Sequence, residues 1–511
     1  MKTFYIFVIL SLGFISANCQ TRYAKIIDFD NRPQGAIEIE KYNENYFIHH
    51  DGICVNEDGN LLEACCGVLL MDELANISDS VLVRQFSTGV ESMIIDTTQN
   101  QILFMGEEYL KDDYSKAFIV NQISLDDLSL KSSYRLHEDR AEERIYYQLV
   151  STLFNQKLMV GGTANGLNDQ SGLGQIFIMD KNVLDTLLTI NYAAENAVWS
   201  SLVDVNNFLT LSVLVRENAL NEKAHILKYD SCVNLVWHWI SEPTRSTQST
   251  HMCELDNGNI VIALADKTFN YAVKLQSVRP DKSIAWEFKF WDHNTKTARN
   301  VYSLKKLKNG DFIGTGTYGN RNINVSSIIF RVPYLFRMTA DGKLLWEKAF
   351  YRDRPVLDFC DGSLHDVEET DNGDLIAVGI LKNYLEYDPM VMQGRSDPDI
   401  FIVRMDANGC IDDQCEMLTK VFPDTISSTL STPHLTYEEA MLYPNPSNGH
   451  IELLNNESVA RLSFHTAQGA LAKEVATPDQ DLFLTDLPTG MYIVHLQLKS
   501  GKIIKQKIII H

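Results

Sequence analysis

Three stretches of the chain share one pattern of polar and apolar positions. ELDNGNIVIALA (254–265), KLKNGDFIGTGT (306–317) and EETDNGDLIAVGI (368–380) each set a polar turn containing Asn-Gly before an alternating apolar run. Alternation with period two places one face of a strand on a core. Asn-Gly favours the positive φ angles of a type I′ turn, so each stretch predicts a tight hairpin. Four weaker copies lie upstream: KYNENYFIHH (41–50), TTQNQILFMGE (97–107), LFNQKLMVGGT (153–163) and DVNNFLTLSVL (204–214). The first turn residue falls at 43, 99, 155, 206, 257, 309 and 372. It is Asn at every position except Gln99, and the period averages about 55 residues.

Each copy continues alike. A third strand runs into an acidic turn, as in IFIMDK (176–181), LFRMTADG (335–342) and IFIVRMDANG (400–409). A fourth follows, starting on Trp in WHWIS (237–241), WEFKFW (286–291) and WEKAF (346–350). No helical period competes with this pattern. Four short strands per unit, repeated radially, predict a β-propeller; β-helix rungs are shorter, and tandem sandwiches would repeat near ~100 residues. The expectation is an all-β chain: a seven-bladed β-propeller over 20–420, then a small C-terminal immunoglobulin-like β-sandwich. The last copy lacks a good fourth strand, since CIDDQCEMLTKVF is polar, whereas Tyr23–Phe29 (YAKIIDF) resembles one. The N-terminal strand is therefore expected to close the ring against residues near 400–405, because an open blade exposes a strand edge.

TADGKLLWEKAF (339–350) is similar to repeats of pyrroloquinoline-quinone-type propellers and their non-enzymatic relatives. Trp237, Trp286 and Trp346 are expected to pack blade against blade rather than to stack on a ligand. No quinone signature accompanies them, and no cofactor is expected.

Residues 1–19 (MKTFYIFVILSLGFISANC) combine Lys2, an apolar core of about a dozen residues and a small-residue stretch. That is a secretory signal peptide, too short to span a membrane. Asn18 departs from a lipobox. Export permits disulfides, and Cys410 with Cys415 (CIDDQC) is the expected pair, with buried thiols elsewhere.

Residues 421–442 are rich in Ser, Thr and Pro and lose the repeat, so they read as a linker. The 443–511 module alternates like a sandwich and carries Tyr443-Pro444-Asn445-Pro446 followed by Gly449. Then come Leu487-Pro488-Thr489-Gly490-Met491-Tyr492-Ile493-Val494 and the closing Lys505-Gln506-Lys507-Ile508-Ile509-Ile510. These three blocks resemble the C-terminal sorting domain (type A) of type IX secretion cargo from Bacteroidetes-type bacteria. The resemblance implies Sec export, passage across the outer membrane by the type IX secretion machinery, and release or attachment to surface lipopolysaccharide after removal of the module. It assigns the sorting signal to Pro444, Asn445, Pro446, Gly449, Gly490, Tyr492, Lys505 and Lys507. The extracellular space or outer cell surface is the expected location.

Charge narrows the partners. Lys and Arg number 45 against 67 Asp and Glu, net -22, and nucleic acid demands a basic footprint this chain lacks. No HExxH, GxSxG, P-loop or CxxC occurs. His49-His50-Asp51 is the tightest histidine cluster, read as a polar blade edge before a metal site. Asp371-Asn372-Gly373-Asp374 looks like a calcium loop but coincides with a repeat turn. The expected function is non-catalytic binding of a glycan, peptide or protein. A secreted hydrolase or lyase acting on polysaccharide or peptide is the alternative.

Overall fold

The computed structural model describes residues 22–28, 34–55, 62–84, 86–87, 93–109, 116–136, 143–154, 157–166, 173–180, 186–192, 197–205, 208–218, 221–243, 251–265, 273–290, 297–321, 329–351, 362–382, 398–411, 415–416, 418–420, 424–427, 434–435, 441–443, 450–454, 459–466, 470–476, 481–484, 486–499 and 503–510. The proposed signal peptide lies outside these residues. All the regular elements described are strands.

Strands from residues 23–435 form seven sheets. Each of the seven sequence turns joins the first and second strands of one sheet. The first strands meet in a closed circle: Gln34–Tyr42, Met93–Asp96, Glu143–Phe154, Ala197–Val205, Met252–Glu254, Thr297–Lys306, Gly362–Glu369 and back to Gln34–Tyr42. That radial order is a β-propeller, and the sheets are numbered here from the one holding Gln34–Tyr42.

Alternation explains how the sheets cohere. In the second strand of sheet 1, Asn45–Val55, Tyr46 and Ile48 pack with Val378 and Ile402 of sheet 7. Phe47, one residue along, packs with Ile102 and Phe104 of sheet 2. Both faces of a sheet are buried, and each such side chain contributes about 1.5–3 kcal/mol on leaving water.

Tyr23–Asp28 is the fourth strand of sheet 7. It runs antiparallel to Pro398–Met405 from Tyr23 opposite Arg404 to Ile27 opposite Ile400, the closure expected from sequence. The segment read as a linker, 421–442, and the last residues of the expected propeller before it add strands to the sheets. Leu418–Lys420 pairs in parallel with Leu344–Tyr351, the outer strand of sheet 6. Asp424–Ser427 pairs with Tyr23–Asp28, and His434–Leu435 with Ile77–Arg84 of sheet 1. Residues 418–435 thus carry an extra strand onto three consecutive sheets and cross the closure. Their Ser/Thr-rich composition hid this, because an edge strand needs backbone N–H and C=O groups rather than an apolar face.

The hairpin turns also need correction. Gly258, Gly310 and Gly373 have φ of 77°, 87° and 84°, but the Asn before each is not left-handed. The Gly310 N–H donates to Leu307 O, and the Leu307 N–H to Asp311 O. This is a type I turn followed by a left-handed glycine bulge, a three-residue loop rather than the two-residue type I′.

Two further sheets make the C-terminal module. Met441–Tyr443, His450–Leu454 and Asp481–Phe483 form one; Val459–Thr466, Leu471–Ala476, Gly490–Leu498 and Ile503–Ile510 form the other. They share a core that includes Ile451, Leu462, Phe464, Val494 and Ile508. The module thus begins at Met441, two residues before the sequence boundary.

Candidate functional site

A first strand has a partner on one side only, so its inner edge offers backbone groups to the axis. Unpaired N–H groups there must find acceptors, and carboxylates from neighbouring strands supply them. The Ile39 N–H of sheet 1 donates to Asp366 Oδ2 of sheet 7 at 3.1 Å. The Met93 N–H of sheet 2 donates to Glu38 Oε2 of sheet 1 at 3.0 Å.

Lys305 of sheet 6 enters the same cluster near the hairpin end. Its Nζ lies 2.9 Å from Asp366 Oδ2 and 2.6 Å from Glu368 Oε1, and Ser303 Oγ donates to Asp366 Oδ1 at 3.0 Å. Burial alone would lower the Lys305 pKa; Asp366, Glu368 and Glu40 outweigh it and hold the ammonium well above its ordinary value. Glu40 goes the other way. Burial raises its pKa well above the carboxylate range, Lys305 opposes this, and Glu368, Glu38 and Asp366 raise it further. Glu368 is raised too, first by burial. One ammonium thus faces three carboxylates drawn from two other sheets.

Further along the same strands, bulges interrupt the pairing at Val301/Ser303 and Leu364/Asp366. A bulge re-aims a side chain, and the two extra residues, Tyr302 and His365, stack with ring centroids 5.1 Å apart. His365 Nε2 sits 2.6 Å from Ser363 Oγ. Ser463 and His465 of the C-terminal module make the same contact at 3.2 Å, so spacing of two in a strand suffices for it. Burial pulls the His365 pKa down to about 4 and that of His251 to about 3.

The other sequence candidates have structural occupations. Trp237, Trp286 and Trp346 each donate their indole N–H to the next sheet, to Pro280 O, Ala340 O and Ala407 O at 2.8, 3.0 and 3.0 Å. They are packing residues. His49 and His50 are buried at 0% and 4% exposure, with pKa values pushed down by burial to about 4 and 3. Asp371 pairs with Lys41 of sheet 1 at 2.6 Å, tying the acidic turn to that sheet, and Asp374 pairs with Arg404 of its own sheet at 3.2 Å. Cys410 and Cys415 are joined by a disulfide, Cα atoms 4.9 Å apart, and Lys348 Nζ of sheet 6 donates to Cys415 O at 2.8 Å. Buried thiols do not account for all the rest: Cys65 is also in a disulfide and Cys232 is exposed.

Of the sorting-signal residues, Pro444, Asn445, Pro446 and Gly449 lie outside the described residues. Lys505 and Lys507 stand opposite His495 and Ile493 in the final strand pair. Tyr492 is 4% exposed and its hydroxyl donates to Pro488 O at 2.7 Å. Gly490 opens its strand without a left-handed backbone, and an added Cβ would meet nothing nearer than 4.0 Å. The fold needs Tyr492 and makes no demand for glycine at 490.

The polar channel cluster was missed from sequence, although a local signal existed. Glu38-Ile39-Glu40 and Asp366-Val367-Glu368 repeat an acid–apolar–acid triple just before a turn, and Ser303-Leu304-Lys305 holds the same place in sheet 6.

In fold the chain is similar to the Dos1 propeller (8% identity, 80% of this chain and 98% of that one, TM-score 0.44). It is also similar to the β-propeller domain of the Trilobed protease from Pyrococcus furiosus (11%, 73% and 95%, 0.42) and to Trypanosoma rangeli sialidase (10%, 66% and 57%, 0.39). No curated protein matches the chain. Residues 441–511 match the model of the secretion system C-terminal sorting domain. The chain is a type IX secretion cargo that carries a propeller ahead of its sorting domain.

Proposed function

We propose that this exported protein is a non-catalytic binding propeller of the cell surface or extracellular space, taking a glycan or peptide at the hairpin-side mouth of its channel. The Lys305–Glu368–Glu40 cluster carries this reading. It offers an ammonium donor beside carboxylate acceptors on rigid strands, a set suited to hydroxyl-rich or cationic groups. Lys305 is held by ion pairs and Asp366 by a backbone amide, which fits orientation better than turnover. Sec export through the 1–19 signal peptide and attachment to lipopolysaccharide belong to the same proposal.

A hydrolase or lyase is the second reading, favoured by one observation: Glu40 and Glu368, from adjacent sheets, both have raised pKa values, as a general acid requires. Glycan- and peptide-array binding, run beside hydrolysis assays on the same preparations, separates the two. Saturable binding lost in Glu368→Gln, with no product formed, supports the binding reading. Product formation abolished by Glu40→Gln would replace it with the second.

A further inference from the structure

His225 lies in Asn221–Tyr229 and His238 in Leu235–Ile240, the outer hairpin of sheet 4. His225 pairs with Ile240 and Leu227 with His238, so the two imidazoles are diagonal neighbours on one face. Both are half-buried beside Ile240 and Val236, which are 47% and 51% exposed. His225 Nδ1 and His238 Nε2 are 3.3 Å apart, and the ring centroids 5.1 Å.

These two distances go together in a particular way. In the absence of an ion the same contact serves as a long N–H···N hydrogen bond between one protonated and one bare ring nitrogen. Two imidazoles on one tetrahedral ion, each nitrogen about 2.0–2.1 Å from it, have their nitrogens about 3.3–3.4 Å apart and their centroids about 5 Å apart. Both observed separations match the chelate.

We propose that His225 and His238 form a surface site for a divalent first-row transition ion of the zinc type. Imidazole nitrogen is a preferred ligand for such ions. Among the described residues no third His, Cys, Asp or Glu completes a cluster with them. The site is remote in sequence from the channel residues and does not depend on the binding reading above.

A second cross-strand pair, His465 and His495 of the sorting domain, has centroids 4.6 Å apart with His465 Nε2 bonded to Ser463. It supplies the control. Zinc chloride titrated into the metal-free full chain, followed by calorimetry, should show saturable binding in the micromolar range. His225→Gln and His238→Gln should each weaken it at least tenfold, and His495→Gln should leave it unchanged. Zinc should also raise the melting temperature of the parent chain and of His495→Gln, but not of His238→Gln; circular dichroism checks that the variants are folded. No saturable binding by the parent, or binding that survives both His225→Gln and His238→Gln, overturns the proposal. So does loss of binding in His495→Gln alone.

Discussion

Tyr23 stands opposite Arg404 in sheet 7 just as Trp346 stands opposite Arg337 in sheet 6. The likeness extends to the bonds they make, although Arg404 also meets the Glu73 carboxylate at 3.4 Å. Arg337 meets Asp311 and donates to Ala407 O; Arg404 meets Asp374 and donates to Glu73 O at 2.8 Å. Trp346 donates to Ala407 O, and the Tyr23 hydroxyl to Glu73 O at 3.3 Å. A strand from the beginning of the chain therefore reproduces the fourth strand of a repeat together with its inter-sheet bond. The ring closes with the same kinds of contact that join sheet 6 to sheet 7.

Arg404 is the critical member of that junction. It is 2% exposed and its partner Asp374 is 5% exposed. Arg404→Ala leaves a buried carboxylate without its cation and should cost about 3–5 kcal/mol. Tyr23→Phe removes one hydrogen bond to a carbonyl and should cost about 0.5–1.5 kcal/mol. Urea denaturation of both variants checks the order; equal losses would show that the buried pair contributes nothing beyond a single bond.

The 418–435 segment belongs to the propeller. A chain ending at residue 440 should melt close to the full-length propeller, whereas one ending at 417 should melt several degrees lower. Its amides in residues 23–28 should also exchange faster, since that strand loses its outer partner. Identical melting of the two truncations would show that the added strands do not stabilise the closure.

The turns offer a sharper contrast. Gly310→Val forces a β-branched residue into φ 87°, at about 1–2 kcal/mol. Gly342→Ala should cost at least as much, because φ is 86° and the new Cβ would sit 2.5 Å from the Trp286 ring. Lys308, although exposed, is a poor control: its Nζ donates to Thr370 O at 3.0 Å in sheet 7. Lys343→Gln, on the outer turn, should stay within about 0.5 kcal/mol. Thermal melts of the set, with hydrogen exchange over 302–317, test the ranking.

Acid should loosen the ring. His49, His50, His251 and His365 have folded pKa values of about 4, 3, 3 and 4, lowered by burial from 6.5. Between those values and 6.5 the unfolded chain binds more protons than the folded one, so stability rises with pH across that window and is lost as pH falls through it. Melting temperature should drop on going from pH 7 to 4.5, and His50→Gln should flatten the slope. A flat profile in the parent chain would contradict the burial of these rings.

Export separates fold from signal in the sorting domain. Deleting 441–511 should retain a folded propeller in the periplasm. Tyr492→Ala should unfold the module through lost packing. Gly490→Ala should leave it folded, so a secretion defect in that variant would assign Gly490 to recognition. Fractionation and immunoblotting of cells expressing each form give the answer.

Local chemistry made much of this legible in advance. Turns led by Asn at six of seven positions and recurring every ~55 residues, period-two alternation and a Trp at the head of a strand require no knowledge of distant residues, and from them the repeat, the propeller and the sheet-to-sheet role of Trp286 could be read. Tyr23–Phe29 could be assigned to closure for the same reason: it looked like the strand the last unit lacked. Turn type was misjudged because Asn-Gly is compatible with two loop lengths, and the closing backbone bond between Leu307 and Asp311 selects between them. The edge strands of 418–435 were hidden because parallel addition uses backbone groups that every residue has. The channel cluster lay further from reach. Glu40, Lys305 and Glu368 are scattered over more than 300 positions and acquire their shifted pKa values only when ring closure brings sheets 6, 7 and 1 side by side and takes water away from the charges.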